Sequence, residues 1–236
     1  MLIVALDTTT RPGSCAVARD GAVLCEVVGE ATREQAARLP GEIVAVLARA
    51  GATVHDVDAF AVATGPGSFT GLRIGIASMQ GLAFAQGKPL VGVSALDALA
   101  DVARVSVAAE GRVATWVDAW RGEVYAAIYR SGRSSEPPLV SQPIDLLRAM
   151  GAGPTVFIGD GAATYRDLIV AALGADARVA DPAAPMLAGT IARLATAAYA
   201  AGDRPGPHAI RPIYVRRPDA VLARQSRQES TGAHAE

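Results

Sequence analysis

The run Gly65-Pro66-Gly67-Ser68-Phe69-Thr70-Gly71-Leu72-Arg73-Ile74-Gly75 reads as a glycine-pinned turn that enters a helix. Glycines on either side of Pro66 set a tight turn and let other backbone approach closely. Ser68 or Thr70 supplies the cap, and the helix runs from about Phe69 to Gln86, stopped by Gly87-Lys88-Pro89. A strand at Val57 to Ala63 leads into the turn, and a buried strand at Leu90 to Val93 follows the helix. Strand, turn, helix, strand is the working unit of an α/β fold.

Upstream, Leu2 to Leu6 is a short apolar run fit for a strand buried on both faces, and Asp7-Thr8-Thr9-Thr10-Arg11-Pro12-Gly13 is a polar turn. Strands at Ser14 to Arg19 and Ala22 to Val28 flank Asp20-Gly21, a strong hairpin signal. A helix capped by Thr32 is expected to reach Ala50, with Leu39, Ile43, Val46 and Leu47 in its apolar stripe and a kink or late start at Pro40. Ser94 caps a further helix to about Val102.

Downstream, a second unit opens near Gly111 with strands Arg112 to Val117 and Glu123 to Tyr129 around the turn Asp118 to Gly122. A loop at Ser131 to Pro138 precedes a helix at Asp145 to Met150, a strand at Thr155 to Ile158, helices at Ala163 to Leu173 and Met186 to Ala201, and an extended piece at Ile210 to Val215. From about Arg224 the chain is polar and expected to be disordered. This order divides the chain into a lobe at 1–105, a smaller lobe at 106–223 and a tail at 224–236.

Composition narrows the classes of function. The 236 residues carry a formal net charge of -1, so no global field favours nucleic acid or a membrane surface. Lys88 is the only lysine; all other cations of that class are arginine. Two cysteines make no disulfide framework, no apolar stretch approaches the ~18 residues of a membrane span, and Asp7 ends the first apolar run too early for a signal peptide. A cytoplasmic protein is expected. Catalytic equipment is sparse: the three histidines, His55, His208 and His234, lie far apart, and no Gly-x-Ser-x-Gly elbow occurs.

The binding features leave alternatives open. The turn from Gly65 suits either an anion held at a helix N-terminus or packing without a ligand, and its spacing is neither a Walker A loop nor a dinucleotide fingerprint. Asp7, Thr8 and Thr9, with Gly67, Ser68, Thr70 and Arg121, are the candidate nucleotide or anion contacts. Along the helix, Gly71, Gly75, Ser78 and Leu82 share one small-residue face, which suits close approach of a helix of this chain or of a partner.

These residues resemble the TsaB (YeaZ-like) family. The likeness rests on Asp7-Thr8-Thr9, the run Asp58 to Gly75, Gly81-Leu82-Ala83, Val91 to Leu96, Asp118-Ala119-Trp120-Arg121-Gly122-Glu123-Val124-Tyr125 and Pro212 to Ala220. The resemblance implies a two-lobed actin-like (ASKHA, ribonuclease H-like) α/β fold, each lobe a mixed sheet flanked by helices. It implies a non-catalytic scaffold in the making of N6-threonylcarbamoyladenosine in tRNA, working with a catalytic paralogue, TsaD, and a small ATPase, TsaE, and meeting tRNA through that complex. The paralogue's His-x-x-x-His metal motif falls here at about Ala95 and Leu99, which have no donor atoms. The family's dimer surface is formed by the first two helices, which makes Leu39, Ile43, Leu47, Gly71, Gly75, Ser78 and Leu82 the candidate interface and allows a homodimer when the chain is alone. No cofactor of its own is implied beyond weak ATP or ADP binding, or a nucleotide at the partner interface. The alternatives are an autonomous enzyme of this fold, a small-molecule kinase or peptidase, and a homodimeric interaction protein with no tRNA role.

Overall fold

The computed structural model describes residues 1–106, 111–134 and 136–216. The tail expected to be disordered lies outside the described residues.

The first lobe is built as the hydrophobic pattern requires. Strands β1 (Leu2–Asp7), β2 (Ser14–Arg19) and β3 (Ala22–Val28) form an antiparallel meander, joined at Asp20 and Gly21, whose φ values of 51° and 83° are those of the expected turn. Helix α1 (Gln35–Arg49) leads to β4 (Ala59–Gly65), helix α2 (Phe69–Gln86) to β5 (Leu90–Ser94), and α3 (Ala95–Ser106) closes the unit. Parallel pairing of β4 with β1 and of β5 with β4 gives the order β3-β2-β1-β4-β5.

Both faces of β1, β2 and β4 are buried, so these strands alternate between two cores rather than between core and solvent. Leu2, Val4, Leu6, Phe60 and Val62 meet Leu39, Ile43, Val46 and Leu47 of α1 and Ile76 and Met79 of α2. Ile3, Ala5, Ala59, Ala61 and Ala63 point the other way, where their small side chains admit Ala95, Ala98 and Leu99 of α3.

The second lobe holds β6 (Arg112–Asp118), β7 (Val124–Arg130), the short β8 (Arg133–Ser134) and β9 (Leu139–Ser141), then α4 (Pro143–Met150), β10 (Thr155–Ile158), α5 (Asp160–Thr164), α6 (Arg166–Leu173) and β11 (Ala177–Val179). Its sheet runs β11-β10-β6-β7-β8, with β9 also on β7. Arg112, almost fully buried, donates to Thr155 Oγ1 at 2.6 Å and to the carbonyls of Met150, Gly151 and Gly153, tying the end of α4 to the sheet. Helix α7 (Ala188–Ala200) then returns to pack across the first sheet, and one apolar cluster runs from Ala5 and Ala61 through α3 and α7 to Val113, Val117 and Ile158 of the second.

Three expectations need correction. Helix α1 starts at Gln35 after an N-cap at Glu34, because the Thr32 hydroxyl is engaged with Glu30 Oε1 instead; Pro40 lies inside the helix. The helix expected at Ala163 to Leu173 is two, divided at Tyr165. Strands β8, β9 and β11 were not legible, being two or three residues that exist only by pairing. Residues 210–215 run extended as expected, held by the Ile213 N–H on Thr64 O at 2.7 Å.

Candidate functional site

The ends of β1, β4, β6 and β10 converge on a cleft between the lobes of about 680 Å³. Crevices beyond the carboxyl ends of sheet strands are where α/β folds hold ligands. Asp7, Thr9, Ser68, Thr70 and Gly71 line it from the first lobe, and Asp118, Trp120 and Asp160 from the second.

The first-lobe wall is stitched to itself. Asp7 Oδ1 accepts the Thr9 N–H at 2.9 Å and the Thr9 hydroxyl at 2.7 Å. The Ser68 N–H donates to Thr9 O at 2.8 Å, and Ser68 Oγ caps α2 by accepting the Gly71 N–H at 3.2 Å. The glycines make room for this seam. A β-carbon on Gly67 would lie 2.6 Å from Thr9 Cβ, one on Gly71 would overlap the Thr8 carbonyl oxygen, and one on Gly75 would overlap Thr8 Oγ1. Such overlaps are not survivable without movement. The glycine run therefore admits the β1–β2 turn, and several polar groups that an anion would use are spent on that contact.

The cleft is acidic. Burial first, then the carboxylates of Asp160 and Glu26, hold the Asp7 pKa above its ordinary value, against the two hydrogen bonds from Thr9. Asp160 is likewise raised by burial and by Asp118, although it accepts the N–H groups of Asp118 and Gly161. Four carboxylates, Asp7, Glu34, Asp118 and Asp160, outnumber the exposed Arg11 and Arg33 in the lining, which disfavours a bare anion and suits a cation or a cation-bridged phosphate. Trp120, 65% exposed with φ of 62°, lines the mouth; Arg121 sits beside it on the exposed hairpin tip and does not line the cleft. Asp118, Trp120 and Asp160 as one wall were missed from sequence.

The helix surface differs from expectation in a definite way. Leu39, Ile43 and Leu47 are 1–3% exposed and belong to the core beneath α1, so they have no surface to offer a partner. Gly71 and Gly75 are buried against Thr8, and Ser78 and Leu82 are half-buried. The outward face is made of other residues. On α1 the exposed residues are Ala36, Ala37, Pro40, Gly41, Val44, Ala45, Ala48 and Arg49; on α2 they are Phe69, Thr70, Arg73, Ala77, Gly81, Phe84 and Ala85. Val44 is 66% and Phe84 82% exposed, and a β-carbon at Gly41 or Gly81 would meet nothing within 4 Å.

Ala95 and Leu99 are buried in the core that joins the lobes. Among the described residues no group of three or more His, Cys, Asp or Glu is placed to hold a metal, and no helix is long and apolar enough to cross a membrane. Cys15 is buried and its thiol is pushed up to about 12, chiefly by burial, which makes it a poor nucleophile.

The family model for "TsaD: tRNA N6-adenosine threonylcarbamoyltransferase" matches residues 27–220. The tRNA threonylcarbamoyladenosine biosynthesis protein TsaB of Escherichia coli is 35% identical over 180 residues, 71% of this chain and 75% of that one. The solved structure of YeaZ from Pseudomonas aeruginosa superposes with a TM-score of 0.74 at 33% identity, covering 90% of this chain and 99% of that chain. Component A of the Acidaminococcus fermentans (R)-2-hydroxyglutaryl-CoA dehydratase, at 13% identity and a TM-score of 0.56, shares the fold alone. The architecture is the two-lobed actin-like one.

Proposed function

The chain belongs to the TsaB/YeaZ family, with that family's role in tRNA threonylcarbamoyladenosine biosynthesis, and from that premise we propose that it serves as a non-catalytic subunit docking a TsaD-like transferase. The observation that carries the reading is the outward face of α1 and α2. It is uncharged from Ala37 to Ala48 on α1, and it places Val44 and Phe84 in solvent. Gly41 and Gly81 lie inside helices, where glycine costs roughly 0.5–1 kcal/mol against alanine. Among the described residues nothing lies within 4 Å of the space they leave. A second helix pair brought close to this face would need it.

The buried apolar side chains at Ala95 and Leu99 support a subunit without a metal centre of its own at that place. A TsaE-like ATPase completes the proposed assembly, and tRNA reaches it through the complex. The same face would accept a second copy of the chain when no transferase is present.

The test is reconstitution with purified transferase, ATPase, ATP, an unmodified tRNA and the threonylcarbamoyl adenylate donor. The chain alone is expected to give no modified tRNA, and omitting it is expected to lower the yield at least tenfold. Equal modification without the chain would overturn the proposal.

A further inference from the structure

Residues 204–216 lie as a strap along α2 and carry the chemistry of a polyanion site. Gln80 on α2 staples the strap by donating to the carbonyls of Pro207 and Ile210, each at 3.0 Å. Leu90 N–H on Pro205 O at 3.2 Å and Ile213 N–H on Thr64 O hold its two ends. Pro205, Pro207 and Pro212 fix φ at three of its positions, so less conformational freedom remains to be lost on binding.

Within the two segments that build this side the charges are of one sign, with the exposed Asp203 bordering the strap at Arg204. Neither 59–96 nor 204–216 contains an aspartate or glutamate, while Arg73, Lys88, Arg204 and Arg211 belong to them. Among the described residues none of these four forms an ion pair; Arg216, which also lies in the strap, is held by Glu123. A net charge of -1 for the whole chain makes this a local asymmetry, set apart from the acidic cleft. The strap runs antiparallel to α2. From Arg73 to the end of α2 at Gln86 the rise of a helix gives about 20 Å, the span of about six phosphates on one strand of a duplex.

Aromatic rings alternate with the cations. The Arg204 guanidinium stands 4.3 Å over the Tyr199 ring beside a groove of about 430 Å³ that Phe84, Lys88 and Pro205 help to line. At the other end the Arg73 guanidinium lies 3.9 Å over Phe69 and donates to Tyr214 Oη at 3.0 Å, and the Phe69 and Tyr214 rings are 5.3 Å apart. Phe69 and Tyr214 are 42% and 39% exposed. Cations for phosphates and ring faces for bases are the two components of sequence-tolerant RNA binding.

We infer that the strap and the adjoining side of α2 contact the tRNA backbone directly, so that this chain is an RNA-binding surface of the complex as well as a docking subunit. The choice of RNA over an acidic protein rests on the tRNA-modification reading; the binding surface itself does not.

The experiment measures binding of an unmodified tRNA to the full chain across a salt series, for the natural protein and for the triple variant Lys88→Gln, Arg204→Gln, Arg211→Gln. These side chains are at the surface, and matched thermal melts confirm folding. The triple variant is expected to bind tRNA at least tenfold more weakly at low salt, with the slope of log affinity against log salt reduced by about 2–3. Tyr214→Ala is expected to weaken binding with the slope unchanged. Unchanged affinity and slope in the triple variant would overturn the inference. So would displacement of the tRNA by polyglutamate at equal charge concentration, which would assign the strap to an acidic protein. Because the readout is binding, a failed reconstitution with intact strap-dependent binding would sink the docking proposal alone.

Discussion

Gly75 has no room for a β-carbon because Thr8 Oγ1 occupies the place where one would stand. Thr8 belongs to the turn after β1 and Gly75 to the second turn of α2, so the pair sets how deeply the helix seats on the sheet edge. Gly75→Ala is expected to destabilise the chain by about 1–3 kcal/mol through overpacking. Thr8→Ala in the same chain should recover part of that loss, since the obstacle is a side chain. Gly71→Ala should not be rescued by the same change, because its obstacle is the Thr8 carbonyl. Urea unfolding of the two double mutants decides it. Equal rescue of both would show that the seam is not where the damage lies.

The exposed glycines should behave in the opposite way. Gly41→Ala and Gly81→Ala fill empty space on helix surfaces, and each is expected to stabilise the isolated chain by about 0.5–1 kcal/mol. If a transferase docks over this face, the same methyl groups should weaken the complex at least tenfold, read by sizing chromatography and calorimetry. A stabilised variant that still assembles with full affinity would remove this face from the proposed interface.

The contrast between these two pairs of glycines explains what sequence reading can reach here. Helix α2 was legible to the residue because its cap at Ser68 and its left-handed stop at Gly87, φ 60°, are local signals. The face defined by Gly71 and Gly75 was legible too, but its neighbour was not. Thr8 is far away along the chain, and periodicity says which residues share a face without saying what the face meets. Leu39, Ile43 and Leu47 show the same limit: an apolar stripe at helical spacing is the mark of a core, and here it is one. The cleft wall of Asp118, Trp120 and Asp160 is assembled from a hairpin and a strand end, so only the folded chain brings it together. The meander from Leu2 to Val28 was readable because Asp20-Gly21 imposes its turn whatever surrounds it.

Stability should respond to pH through the buried carboxylates. Asp7, Glu26 and Asp160 all have folded pKa values above their ordinary ones, with burial the first cause in each. The folded state thus keeps these protons to higher pH than the unfolded state does. Their contribution carries no penalty below the ordinary carboxylate range, and stability is lost as pH rises from that range through the raised values. Asp7→Asn keeps an acceptor oxygen for the Thr9 N–H and hydroxyl while removing the charge. It is expected to raise the melting temperature at pH 7, with the gain vanishing at acid pH. A lower melting temperature at pH 7 would show that the Asp7 charge is offset by something other than these bonds.

The same substitution separates two uses of the cleft. As a resident Mg-nucleotide site, the cleft would need the Asp7 carboxylate to face the cation, and Asp7→Asn would weaken Mg-ATP binding. As an acidic crevice closed by its own turn, it opposes phosphate because Asp7, Glu34, Asp118 and Asp160 outnumber Arg11 and Arg33 around it and because the Ser68 and Gly71 N–H groups are already engaged. On that account Mg-ATP binds the isolated chain with a dissociation constant of about 1 mM or weaker, an interaction of no more than about 4 kcal/mol. Metal-free ATP binds more weakly still, and Asp7→Asn strengthens it severalfold by removing a like charge. Calorimetry with and without magnesium on the two proteins reads the sign directly. A loss of tight Mg-ATP binding in Asp7→Asn would establish the cleft as a nucleotide site, and the seam between Thr9 and Ser68 would then have to open to admit the phosphates.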